Sequence, residues 1–236
     1  MPNDNILENK EIDKGKSMKI AVLGGTGNIG EGFALRWAEK HEILLCSREI
    51  DKAVNSASKY TERLANKGFS CCGMTGCKNE TAISNADIVV LSVPYQGVIT
   101  LLKDIRPCFS DQIVISLVVP MKKNKWFEYA PPKQGSAALE IEDILPDSVK
   151  VVSAYHNISA KKLTDLELAL DYDVVVCGDD EHAKRTVMGL TCEIENLQPL
   201  DGGGLASSYM TESMTPFLLN LAIRNGLSNL GVKYVK

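Results

Sequence analysis

The spacing Gly25-x-Gly27-x-x-Gly30 gives the chain a backbone able to hold a pyrophosphate. Without a Cβ, the first glycine permits a tight turn, the second lets the phosphates reach the main chain, and the third lets helix and strand pack closely. The N–H groups of Asn28, Ile29 and Gly30 then open a helix with donors free for an anion. About 20 residues further on, an NAD-specific site places Asp or Glu against the ribose 2′-hydroxyl. This chain has Ser47-Arg48 there. A hydroxyl and a guanidinium bind a 2′-phosphate that a carboxylate would repel, and Lys52 and Thr26 add to the set. NADP is therefore the expected dinucleotide.

Acid–base and metal chemistry find little support. Of the histidines His41, His156 and His182, only His156 stands just past the end of an apolar strand, where ligands bind in α/β sheets. Cys71, Cys72 and Cys77 lie close together but lack a fourth ligand for a metal site. No catalytic nucleophile and no metal ligand is assigned.

Alternating elements must position these residues. Ile20 to Leu23 reads as a buried strand, Asn28 opens a helix through Phe33, Ala34, Trp37 and Ala38, and Ile43 to Cys46 is a second strand. Residues 51 to 67 have helical spacing, and a short strand is expected at Phe69 to Cys72. Ala86 to Pro94, Gln112 to Pro120 and Val149 to Ala154 contain apolar runs suited to strands buried on both faces. Strands alternating with helices imply an α/β, doubly wound, mainly parallel sheet of the Rossmann type. Its ligand-binding strand ends are then Ser92 to Tyr95, Leu117 to Met121 and Tyr155 to Ser159. In the last third, a strand is expected over Asp173 to Gly178, a helix over Asp180 to Ile194 and a strand over Asn196 to Leu200. A long apolar-rich helix then spans Leu205 to Asn225, with Pro216 as its expected kink.

A chain of 236 residues with net charge −4 has no basic excess for nucleic acid and no apolar run of membrane-spanning length. Residues 1–17 are polar and charged, and read as a flexible N-terminal extension. Seven cysteines, several in apolar segments, suit reduced thiols in a cytoplasmic protein.

The ordered segments resemble the NADPH-dependent oxidoreductases of the deazaflavin coenzyme F420. The matches include Gly24 to Gly30, Ser47-Arg48, Thr75 to Glu80, Ala86 to Pro94, Leu117 to Pro120, Val151 to His156, Glu212 to Pro216 and Asn225 to Gly231. The resemblance implies hydride exchange between NADP and F420, with the two rings stacked and no covalent intermediate. It adds Val93, Val119 and Ala160 on the nicotinamide side, where Pro94 as a strand-ending residue is also expected, with Leu230 or Gly231 at the chain's end, and His156 and Ile158 at the deazaflavin. It also implies a homodimer or higher homo-oligomer. Such a reaction needs two ring carbons held roughly 3 to 3.5 Å apart and little proton transfer by the protein. The division expected is 18–155 for an NADP-binding domain and 156–236 for a smaller domain completing the F420 site and the contact between copies. The alternatives are an NADPH-dependent flavin or ferric reductase and a non-catalytic NADP-sensing protein.

Overall fold

Ile20, Ala21, Val22 and Leu23 are wholly buried, and their alternation splits them between two cores. Ile20 and Val22 join Phe33, Trp37 and Tyr60 on one face of the sheet. Ala21 and Leu23 join Val98, Leu102 and Ile141 on the other. A strand covered on both sides needs this continuous apolarity, and helices must supply both covers. The computed structural model describes residues 17–235. The extension expected at 1–17 therefore lies, apart from Ser17, outside the described residues.

The elements run β1 (Lys19–Leu23), α1 (Asn28–Trp37), β2 (Glu42–Cys46), α2 (Ile50–Asn66), β3 (Met74–Cys77), α3 (Asn79–Ile83), β4 (Ile88–Leu91), α4 (Tyr95–Ile105) and β5 (Ile113–Ser116). A small hairpin, β6 (Met121–Lys123) and β7 (Phe127–Tyr129), precedes α5 (Ala137–Ile144) and β8 (Lys150–Ser153). The chain closes with α6 (Ala160–Thr164), β9 (Tyr172–Gly178), α7 (Glu181–Cys192), β10 (Leu197–Asp201) and α8 (Ser208–Asn225). Helices α1, α2, α6 and α7 cover one face and α3, α4 and α5 the other, which makes the sheet doubly wound.

The strand order is β10-β9-β8-β5-β4-β1-β2-β3. From β3 to β8 all neighbours are parallel, and the order reverses between β1 and β4, so a crevice opens outside their carboxyl ends. Strand β9 breaks the pattern by running antiparallel to β8, with Val152 opposite Gly178 and Ser153 opposite Cys177. Its first residues consequently extend past the end of β8, where the Asn157 side-chain amide donates to the Asp173 carbonyl at 2.7 Å. The outermost strands are β3, four residues long, and β10, which contains Pro199.

Two expectations require correction. The strand placed at Phe69 to Cys72 lies instead at Met74–Cys77. Gly76 explains the location, because a Cβ there would stand 2.3 Å from the Val54 nitrogen, so only glycine lets α2 lie this close to the edge strand. The last helix begins at Ser208 after a 3-10 turn at Leu205–Ser207, and it continues past Pro216 to Asn225. Pro216 thus removes one backbone donor without ending the element.

Helix α8 is fastened by a buried carboxylate. Glu212 is fully buried and accepts from the Tyr129 hydroxyl at 2.8 Å, the Ala137 N–H at 2.9 Å and the Ala138 N–H at 3.0 Å. Burial pushes its pKa up, while the three donors pull the other way. Glu212→Ala would strand the buried N–H groups of Ala137 and Ala138 and leave the Tyr129 hydroxyl only the Gly135 carbonyl at 3.3 Å, and it is expected to cost about 2–4 kcal/mol. Glu212→Gln, which keeps one acceptor, is expected to lose roughly half as much. Urea denaturation should show the midpoint falling at constant slope in that order. Beyond this anchor, α8 exposes Tyr209, Met210, Phe217, Leu221 and Ile223. Among the described residues no helix is long and apolar enough to cross a membrane.

Candidate functional site

The loop after β1 turns twice within four residues. The Gly25 N–H reaches the Val22 carbonyl at 3.1 Å and the Cys46 carbonyl at 3.0 Å, and Gly24 adopts a left-handed φ of +80°. This pairing sets the loop beside the end of β2. A Cβ on Gly25 would lie 2.9 Å from the Val22 carbonyl oxygen, and one on Gly30 would lie 2.6 Å from the Gly24 oxygen. Gly27 differs: its added Cβ would meet only the Gly24 oxygen, at 3.3 Å, and the residue is exposed. Two glycines therefore permit packing, while Gly27 leaves the main chain open to a ligand.

Helix α1 starts at Asn28 with no side-chain cap, and the Glu31 N–H makes the first bond back to Gly27. The N–H groups of Asn28, Ile29 and Gly30 precede that bond and have no intrahelical acceptor. Thr26 is half-buried beside them. Ser47 and Arg48 follow β2 directly, and Lys52 lies in the first turn of α2. Arg48 and Lys52 are exposed, and among the described residues neither forms an ion pair. Two unpaired cations beside an uncapped helix start favour a polyanion.

Across the crevice, Ser92, Val93 and Pro94 leave β4, and Pro94 caps α4. The Ser92 hydroxyl donates to the Leu23 carbonyl at 2.7 Å, and Val93 lies against Gly24. Val119 is half-buried beyond the end of β5.

After β8 the chain turns at Tyr155, whose φ of +68° is unfavourable for a side chain with a Cβ. Core contacts hold it. The Tyr155 ring lies 4.7 Å from that of Phe33 and its hydroxyl 2.8 Å from the Thr191 hydroxyl. The turn delivers His156, whose carbonyl accepts from the Thr215 hydroxyl at 2.5 Å. The imidazole is 7% exposed, and neither ring nitrogen has a hydrogen-bond partner. Burial pulls its pKa down to about 3. The native ring is thus neutral, whereas the unfolded one takes a proton near 6.5. Stability is lost as pH falls from about 6.5 towards 3, because only the unfolded chain binds that proton.

Ile158 is half-buried and Ala160 opens α6, which Ser159 caps by accepting from the Lys162 N–H. Leu230 and Gly231 are half-buried in the C-terminal segment. Gly231 lies flat on Tyr172 at the start of β9, so close that a Cβ would stand 2.2 Å from the ring. The supporting roles of Ser92, Tyr155 and Thr215 were not singled out from sequence, although each lies in a segment that the sequence marked: Ser92 to Tyr95, Tyr155 to Ser159 and Glu212 to Pro216.

The residues fit two organic cofactors. A cradle that Cβ atoms would fill suits a dinucleotide, and a buried neutral imidazole with one donor and one acceptor to spare suits the polar edge of a heterocycle. His41, by contrast, is occupied: it accepts from the Met18 N–H at 3.1 Å and meets Glu193 at 2.7 Å. Among the described residues no group of three or more histidines, cysteines or acids could hold a metal ion.

Residues 19–120 match the family described as NADP oxidoreductase, coenzyme F420-dependent. The F420-dependent NADP reductase of Methanocaldococcus jannaschii is 36% identical over 219 residues, covering 92% of this chain and 97% of the relative. That of Methanothermobacter thermautotrophicus is 35% identical over 221 residues, covering 92% and 94%. The solved structure of a putative F420-dependent NADP-reductase from Arthrobacter sp. superposes with a TM-score of 0.77 at 22% identity, covering 93% of this chain and all of that one, which supports the fold. With identity of this level over nearly the whole of its relatives, the chain belongs to the F420-dependent NADP reductase family.

Proposed function

We propose that this chain is an F420:NADP oxidoreductase that works by positioning two cofactors against one another. The observation that carries the reading is the near full-length identity to F420-dependent NADP reductases. When bound, the pair supplies hydride exchange between the nicotinamide of NADP and the deazaflavin of F420. Asn28, Ile29 and Gly30, with Gly25 and Gly27, hold the pyrophosphate, while Thr26, Ser47, Arg48 and Lys52 hold the 2′-phosphate. Val93, Pro94, Val119 and Ala160, with Leu230 and Gly231, border the nicotinamide. His156 and Ile158 border the deazaflavin, and the apolar members of the set exclude water. The neutral imidazole orients a ring edge through hydrogen bonds and moves no proton.

Residues 18–155 then serve as the NADP-binding part, and 156–236 complete the F420 site. The apolar side chains that α8 exposes suit a second copy of the chain, which makes a homodimer or higher homo-oligomer the expected assembly. Seven free thiols suit the cytoplasm.

Mixing the protein with NADPH and oxidised F420 should bleach the deazaflavin absorbance. Oxidation of NADPH by flavin or ferric chelate but not by F420 would mark a flavin or ferric reductase, and tight binding without turnover a sensor. His156→Ala should lower kcat/KM for F420 by about tenfold, the size of one hydrogen bond to the ring. Wild-type kcat should show no histidine titration between about pH 5.5 and 8. Complete loss of turnover with both cofactors still bound would instead assign proton transfer to His156.

A further inference from the structure

Strands β2 and β3 bring two thiols side by side. They run parallel with Leu44 opposite Thr75, Leu45 opposite Gly76 and Cys46 opposite Cys77, so the two cysteines are direct neighbours across the ladder. Such partners point to the same face of a sheet. Gly76 turns towards α2, where an added Cβ would meet Val54, and Cys77 therefore turns the other way, into the core that Cys46 shares with Ala82, Ile83 and Leu91. Cys46 is wholly buried and Cys77 half-buried, which makes Cys77 the accessible end of the pair.

The thiols also take the same posture. The Cys46 sulfur donates to the Leu44 carbonyl at 3.5 Å and the Cys77 sulfur to the Thr75 carbonyl at 3.7 Å, each two residues back along its own strand. Two side chains so disposed differ by little more than the step from one strand to the next, which sets their sulfurs about 4.8 Å apart. That spacing separates the two things a pair of thiols can do. A disulfide draws its Cβ atoms to about 3.5–4.5 Å, closer than neighbouring strands lie. A metal ion held in line between two sulfurs, with bonds of about 2.3 Å each, spans about 4.6 Å and leaves the strands where they are. Among the described residues no third histidine, cysteine or acid joins the pair to form a metal-holding group, so a zinc ion, which takes four ligands, is poorly matched. Burial pushes both thiols up, and they stand protonated and neutral until a metal displaces the protons.

We propose that Cys46 and Cys77 form a two-coordinate site for a soft, thiophilic cation of the class of the mercuric ion. Binding breaks two S–H bonds, forms two metal–sulfur bonds and releases two protons to solvent, with no change in the oxidation state of sulfur or metal. A divalent ion leaves the site without net charge, as the apolar side chains around it require.

The test equilibrates the full chain with one equivalent of mercuric ion in an excess of glutathione and weighs the protein by native mass spectrometry. Wild type should hold one mercury per chain with two protons lost, because two sulfurs fixed on one chain outcompete two separate glutathione molecules. Cys77→Ser and Cys46→Ala should hold none, whereas Cys71→Ser, Cys72→Ser and Cys192→Ser should each still hold one. X-ray absorption at the mercury edge should show two sulfur neighbours. The thermal midpoint of wild type should rise by about 5 °C with the metal, and that of Cys77→Ser should not move. Mercury retained by Cys77→Ser, lost from Cys71→Ser or Cys72→Ser, or absent from wild type would overturn the site, as would a third sulfur neighbour.

Discussion

Arg48→Glu is expected to lower kcat/KM for NADPH by about 100-fold while leaving that for NADH within a few-fold. The guanidinium is exposed beside the end of β2 and, among the described residues, makes no ion pair that it would have to give up. A charge-assisted hydrogen bond contributes about 1.5–3 kcal/mol, and a carboxylate in its place adds repulsion. The 2′-phosphate is the only part of the dinucleotide that distinguishes the two cofactors, so the penalty should fall on NADPH alone. Steady-state kinetics with both nucleotides decide it. An equal loss with NADH would mean that Arg48 supports the helix start rather than the phosphate.

The second large effect lies in the glycine loop, where Gly27→Ala and Gly30→Ala should part company. At Gly30 the new methyl would stand 2.6 Å from the Gly24 oxygen, 2.7 Å from the Gly25 Cα and 2.7 Å from the Ser92 hydroxyl. Two of these are backbone atoms that move only if the loop moves. Gly30→Ala is therefore expected to cost about 1–3 kcal/mol of stability and most of the NADPH affinity. At Gly27 the nearest atom is 3.3 Å away, so Gly27→Ala should fold normally and still bind NADPH at least roughly tenfold more weakly, because the methyl occupies the approach to the main chain. Thermal melts with and without NADPH separate the two. A Gly30 variant as stable as wild type, or a Gly27 variant with unchanged affinity, would contradict this division of labour.

The half of the fold that carries these glycines was legible because local and tertiary demands agree there. Ile20 to Leu23 is apolar on both faces, the glycines follow at once, and Ser47-Arg48 stands at the next strand end. Met74–Cys77 was not legible, since its position depends on α2 settling against Gly76, a contact between residues over 20 apart in sequence. The direction of β9 was equally hidden: Tyr172–Gly178 presents the same alternation of side chains whichever way it runs. His156 could be placed at a strand end from sequence, but its unpartnered nitrogens emerge only from burial. The left-handed turn at Tyr155 is set by ring contacts with Phe33 and by Thr191, which no local pattern announces. Glu212 belonged to a segment matched by resemblance, yet its three donors come from β7 and α5, more than 70 residues upstream.

The outer strands of the sheet bear on how copies of the chain can meet. Strand β3 is four residues long and β10 interrupts its row of amide donors at Pro199. A short edge and a proline-bearing edge are both poor templates for recruiting a strand from another molecule. Any continuation of this sheet across two chains is thereby discouraged at both ends, as is growth into fibrillar stacks. Any association between copies would be left to side-chain surfaces such as those α8 exposes, away from the strands beneath the crevice.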